Sequence, residues 1–132
     1  MDNVKIKKKV LIVDDNNNLV TVLVDKFNLS GFEATGAVNG EDGLKKALES
    51  HPDIILLDLV MPVMGGLDML KQLRLDEWGK EAKVMVLTVL DEPTYVANAM
   101  DSNVLGYIVK TDISLDKVIK QIQNLLGVPP NA

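Results

Sequence analysis

The chain has 132 residues, 47% of them hydrophobic, a net charge of −5 and no cysteine. That size suits one domain able to bury a sheet on both faces, and the acidic balance gives no electrostatic footprint for gripping a phosphodiester backbone, so direct nucleic-acid binding is not expected. Without cysteine there are no disulfides, thiol nucleophiles or thiolate metal sites, and no apolar stretch approaches the roughly 20 residues that span a bilayer.

The segments alternate along the chain. Met1-Asp2-Asn3, followed by Lys5, Lys7, Lys8 and Lys9, lacks the apolar core of a signal peptide and reads as a solvated lead-in, which points to the cytoplasm. Periodicity then predicts strand Lys9 to Val13, helix Asn17 to Leu29, strand Glu33 to Ala37, helix Glu41 to Ser50 and strand Ile54 to Asp58. Helix Gly66 to Leu75, strand Lys83 to Thr88, helix Pro93 to Met100, strand Gly106 to Val109 and helix Leu115 to Leu126 complete five strand–helix units. Asn39 and Ser114 suit helix starts, and Gly31 and Gly127 suit helix ends. The strands are continuous Val/Ile/Leu runs, as expected when helices cover both faces of a parallel sheet. The fold class is α/β: a doubly wound, flavodoxin-like sandwich, the five strands in the order 2-1-3-4-5. The domain is expected over residues 1–128, with 129–132 as a flexible tail.

Four apolar runs stop at polar residues: Asp14 and Asp15 after the first strand, Asp58 after the third, Thr88 after the fourth and Lys110 after the fifth. Parallel strands share one carboxyl edge, so three carboxylates, a hydroxyl and an ammonium converge near the crevice between strands one and three, where such sheets bind ligands. Two carboxylates at ~4 Å repel by roughly 4 kcal/mol at an effective dielectric of 20, so the group either shifts its pKa values or recruits a cation. Oxygen donors without thiol or imidazole favour Mg²⁺ or Mn²⁺. Together these are parts for phosphoryl transfer onto Asp58. His51, before Pro52, reads as a solvent-facing residue at a helix end, and Met61, Met64, Met69, Met85 and Met100 read as packing rather than a soft-metal site.

The runs Val10 to Asp15, Asp58 to Gly66 and Gly106 to Lys110, with Thr88 lying 30 residues and Lys110 lying 52 residues beyond Asp58 (88 − 58 and 110 − 58), resemble the receiver domain of two-component response regulators over nearly the whole chain. The resemblance implies a switch that is not an enzyme in the usual sense: a phosphoacceptor that assists its own phosphotransfer and dephosphorylation. Asp58 would take a phosphoryl group from a histidine kinase or phosphotransfer protein, while Asp14, Asp15, Asp58 and the backbone carbonyl of Val60 hold Mg²⁺. Lys110 would pair with a phosphoryl oxygen. Thr88 and Tyr107 would switch together and signal through the face formed by helix Pro93 to Met100, strand Gly106 to Val109 and helix Leu115 to Leu126. That face would meet a downstream protein or output domain; homodimerisation on phosphorylation stays open.

This chain departs from the family pattern in several places. Thr111 follows Lys110 where receivers carry a proline with a cis bond; a cis bond before a non-proline costs ~3 kcal/mol, so a trans bond or visible strain is expected. Val89 stands where a smaller residue is usual, narrowing the entrance to Asp58. Apolar Val60 and Leu90 stand at positions that in the family tune phosphoryl loss, and they predict a long-lived phosphorylated state. Asn103 suits a left-handed turn, and Leu105 adds an exposed apolar residue beside the output face. The rival reading is a receiver-like interaction module that never takes a phosphate. A flavin protein would need a phosphate loop where Asp14-Asp15-Asn16 stands, and an aspartate-dependent phosphatase would space its acids differently. Stand-alone receiver and receiver cut from a longer regulator both stay open, as do the cognate kinase and the stimulus.

Overall fold

In a strand, successive side chains point to opposite faces, so a continuous apolar run supplies two hydrophobic layers at once. The computed structural model describes residues 6–61, 63–88, 103–110 and 114–130. Its strands β1 (Lys8–Val13), β2 (Phe32–Ala37), β3 (Ile54–Asp58), β4 (Val84–Thr88) and β5 (Gly106–Val109) form one sheet in the order β2-β1-β3-β4-β5. All four pairings are parallel. The expected strand order and doubly wound architecture are those observed.

Between the strands run α1 (Asn17–Leu29), α2 (Gly40–Ser50) and α3 (Gly66–Leu75), and a C-terminal helix covers Leu115–Leu126. Val10, Ile12, Ile54 and Leu56 pack on one face with Leu23 and Phe27 of α1 and with Val118 and Ile122 of the C-terminal helix. Leu11, Val13, Ile55 and Leu57 pack on the other with Ala47 of α2 and with Met69, Leu70 and Leu73 of α3. Burying each of the larger side chains fully contributes about 1.5–3 kcal/mol, and the two layers together hold the sheet between the helices. The helix expected over Pro93 to Met100 lies outside the described residues.

Caps end these elements as the residue types dictate. Asn39 Oδ1 accepts from Asp42 N at 2.8 Å, Ser114 Oγ accepts from Lys117 N at 3.2 Å, and Gly31 and Gly127 take φ of 93° and 70°. Asn16 caps α1 by accepting from Leu19 N at 3.1 Å. β1 and β2 each begin one residue earlier than periodicity suggests, because Lys8 pairs with Phe32 and the Phe32 ring meets Phe27 edge-on at 5.1 Å. A 3-10 turn at Gly79–Glu81 is too short to leave a periodic signal.

His51 is exposed, as expected, but it also closes α2 in the left-handed conformation and stacks on Trp78 with ring centroids 4.3 Å apart. Met69 and Met85 are buried, and Met61 and Met64 pack at the margin of the core. Lys9 is tied down: its N–H donates to Asp53 Oδ2 at 2.7 Å and its Nζ to the Ser50 carbonyl at 3.1 Å. Beyond the C-terminal helix, Val128 N donates to the Gln123 carbonyl at 2.9 Å. Among the described residues no helix is long and apolar enough to cross a membrane.

The two sides of α3 differ enough to be separated by mutation. Leu70 is fully buried and Leu75 is 78% exposed. Leu70→Ala is expected to cost about 2–5 kcal/mol in urea unfolding and Leu75→Ala less than about 0.5 kcal/mol.

Candidate functional site

The register of the central strands builds the site. Val13 pairs with Leu57, so Asp14 and Asp58, each the next residue, leave β1 and β3 side by side. Asp58 pairs with Leu87, and Thr88 pairs with Val109, which places Lys110 one step past the end of β5 on the same edge. Carboxylate oxygens of Asp14, Asp15 and Asp58 all lie within 4.8 Å of one another. Asp14 and Asp58 are 0% and 4% exposed, while Asp15 faces solvent.

Asp14 is heavily committed. Its Oδ1 accepts from Asn16 N at 2.9 Å, turning the chain out of β1 and into α1, and its Oδ2 accepts from Lys110 Nζ at 2.7 Å. Asp58 is held more loosely. Its Oδ1 accepts from Val60 N at 3.3 Å and its Oδ2 lies 3.6 Å from Lys110 Nζ, both at or beyond the long end of hydrogen bonding. Among the described residues, three carboxylates face one ammonium at this edge. Burial, reinforced by the charge of Asp14, pushes the Asp58 carboxyl up to about 6, against the opposing pull of Lys110 and the Val60 N–H.

Asp14, Asp15, Asp58 and Lys110 are thus brought together. Val60 is exposed beside them. Thr88 is the last residue of β4, and the role expected of its hydroxyl still rests on sequence. Tyr107 lies on β5 with its side chain 44% exposed, and Leu105 is exposed near it, as expected. Asn103 takes the expected left-handed φ of 63°. Val89, Leu90 and Thr111, with the peptide bond joining it to Lys110, lie outside the described residues.

Sequence reasoning missed Arg74, whose guanidinium donates to the carbonyls of Gly79 at 2.7 Å, Ala82 at 2.8 Å and Asn103 at 3.0 Å. It fastens α3 to the approaches of β4 and β5. An arginine near a helix end reads as a solvated charge, so no sequence signal marked it.

A parallel sheet that carries an acidic pocket at its carboxyl edge, with a lysine reaching in from the edge strand, defines a class, and comparison with known proteins agrees. The model of the response regulator receiver domain matches residues 10–123, and the chain belongs to that family. Receiver domains are phosphoacceptor signalling proteins of two-component systems and bind Mg²⁺ at an acidic pocket. The chain is 34% identical over 105 residues to the chemotaxis protein CheY of Thermotoga maritima, covering 78% of this chain and 85% of that protein. It is 35% identical over 121 residues to a nitrate/nitrite response regulator protein homolog of Haemophilus influenzae, covering 90% of this chain but only 57% of that protein. It therefore spans little more than half of the Haemophilus relative. Chemotaxis protein CheY4 of Vibrio cholerae superposes with a TM-score of 0.83 at 27% identity, over 90% of this chain and 98% of that one.

The raised Asp58 pKa has a stability consequence of definite sign. The folded state binds this proton more tightly than the unfolded chain does, so the group's contribution is fully present below about pH 4 and is lost as pH rises through about 6. Asp58→Asn, which keeps an acceptor for Val60 N, is expected to stabilise the metal-free protein by about 1–3 kcal/mol at pH 7.5. In denaturant titrations at several pH values, that gain should disappear below about pH 4.

Proposed function

We propose that the chain is a phosphorylation-activated switch in which Asp58 accepts a phosphoryl group from the histidine of a kinase or phosphotransfer protein. The observation that carries this is the convergence of Asp14, Asp15 and Asp58 on one edge, with Lys110 reaching Asp14 and Asp58. Among the described residues, an all-oxygen donor set with an excess of two negative charges (three carboxylates, one ammonium) fits a hard divalent cation. Asp14, Asp15 and Asp58, with the backbone carbonyl of Val60, would hold Mg²⁺, with Mn²⁺ as the substitute. When bound, the cation supplies positive charge to offset that of the nucleophile and the phosphoryl oxygens.

The rest is done by the chain's own groups. A loosely bonded Asp58 oxygen attacks phosphorus as the phosphorus–nitrogen bond breaks, and the imidazole leaves neutral when its other nitrogen carries a proton. Lys110 has three donors and spends one on Asp14, so its ammonium can also donate to a phosphoryl oxygen. Thr88 would donate to another oxygen, with Tyr107 turning inward from its exposed position on β5. Moving a population from 1:99 to 99:1 takes about 5.5 kcal/mol of differential interaction, within reach of a few charge-assisted hydrogen bonds. The output face would then engage a downstream protein, an output domain or a second copy, in the cytoplasm.

Mass spectrometry after treatment with a small-molecule phosphodonor and Mg²⁺ tests the acceptor. One added phosphoryl group is expected on the unmutated protein and none on Asp58→Asn. Equal gains in both proteins would remove Asp58 from its role, and no gain in either would favour the phosphorylation-independent module. The exposed Val60 side chain offers no group to orient water, so the acyl phosphate should persist for minutes or longer when followed by the decay of the added mass. Decay within seconds would refute that.

A further inference from the structure

Two features outside the acidic cluster meet at one loop. Val63 holds a φ of 69°, a left-handed conformation that a β-branched residue disfavours, and its side chain is 77% exposed, so packing does not impose it. The next residue, Met64, accepts at its carbonyl oxygen from Gly40 N at 2.9 Å, and a Cβ on Gly40 would collide with that same oxygen. The first residue of α2 and the loop between β3 and α3 therefore touch backbone to backbone where only glycine fits. On the other side Gly66 N donates to the Leu59 carbonyl at 3.1 Å, and a Cβ on Gly66 would collide with the Asp58 carbonyl. The loop is gripped on both sides of Val63.

We infer that the Gly40–Met64 contact is a clamp that holds this loop in a strained form, so that the start of α2 sets where the loop backbone stands beside Asp58. Strain of this kind persists only when the surroundings over-determine it, and the two grips do so here. The same loop carries Val60, whose N–H reaches Asp58 Oδ1. Gly40 and Val63 are positioning residues: neither touches the reacting atoms, and both act through the loop. The part of this inference that concerns the cation rests on the function proposed above.

Val63→Asn tests the strain, because asparagine tolerates the left-handed region. It should raise the Tm by roughly 2–4 °C and slow hydrogen exchange at the Gly40 amide severalfold, since less strain then pulls on the clamp. Gly40→Ala releases the clamp. It should raise the Kd for Mg²⁺, read by calorimetric titration, by roughly tenfold, and in that background Val63→Asn should no longer raise the Tm. An equal gain from Val63→Asn in both backgrounds, or unchanged exchange at Gly40, would overturn the clamp. Should Gly40→Ala fail to fold, the exchange measurement on Val63→Asn decides alone. Should the unmutated protein fail to bind Mg²⁺, the proposed function falls, while the Tm comparison and the exchange rate still decide the clamp.

Discussion

Like charge forced together by strand register is the constraint from which the rest of this structure follows. Pairing Val13 with Leu57 leaves no choice about where Asp14 and Asp58 go, because the next residue of each strand must emerge on the same edge. Two carboxylates there repel by several kcal/mol unless something positive intervenes. Lys110 intervenes, more closely for one than for the other: its Nζ sits 2.7 Å from Asp14 and 3.6 Å from Asp58. The residual repulsion is a local cost that the two hydrophobic layers must carry.

The two buried acids are held differently. Asp14 accepts a backbone N–H that turns the chain into α1 and accepts the lysine, so it is as much part of the fold as of the site. Among the described residues, Asp58 has long contacts, 3.3 Å to Val60 N and 3.6 Å to Lys110 Nζ.

β5 is fastened at both ends by charged side chains. Arg74 holds the Asn103 carbonyl just before the strand begins, and Lys110 reaches the acids just after it ends. Between them, on the sheet edge, Tyr107 faces outward. The strand pinned at its termini thus carries an exposed aromatic between its two ties.

Residue order alone determined the alternation of strands and helices, the parallel sheet and the acids, threonine and lysine at strand ends, because apolar periodicity and strand-terminal polar residues are local signals. The helix starts followed likewise from Asn39 and Ser114 and the helix ends from Gly31 and Gly127, whose capping chemistry acts within a few residues. Only tertiary structure decided that Lys110 leans toward Asp14 more than Asp58, that Arg74 spans three carbonyls, that His51 stacks on Trp78, and that Val63 is held left-handed between two grips. Each of these joins residues far apart in the chain or depends on a distance of a few tenths of an ångström, and neither property leaves a trace in composition or spacing.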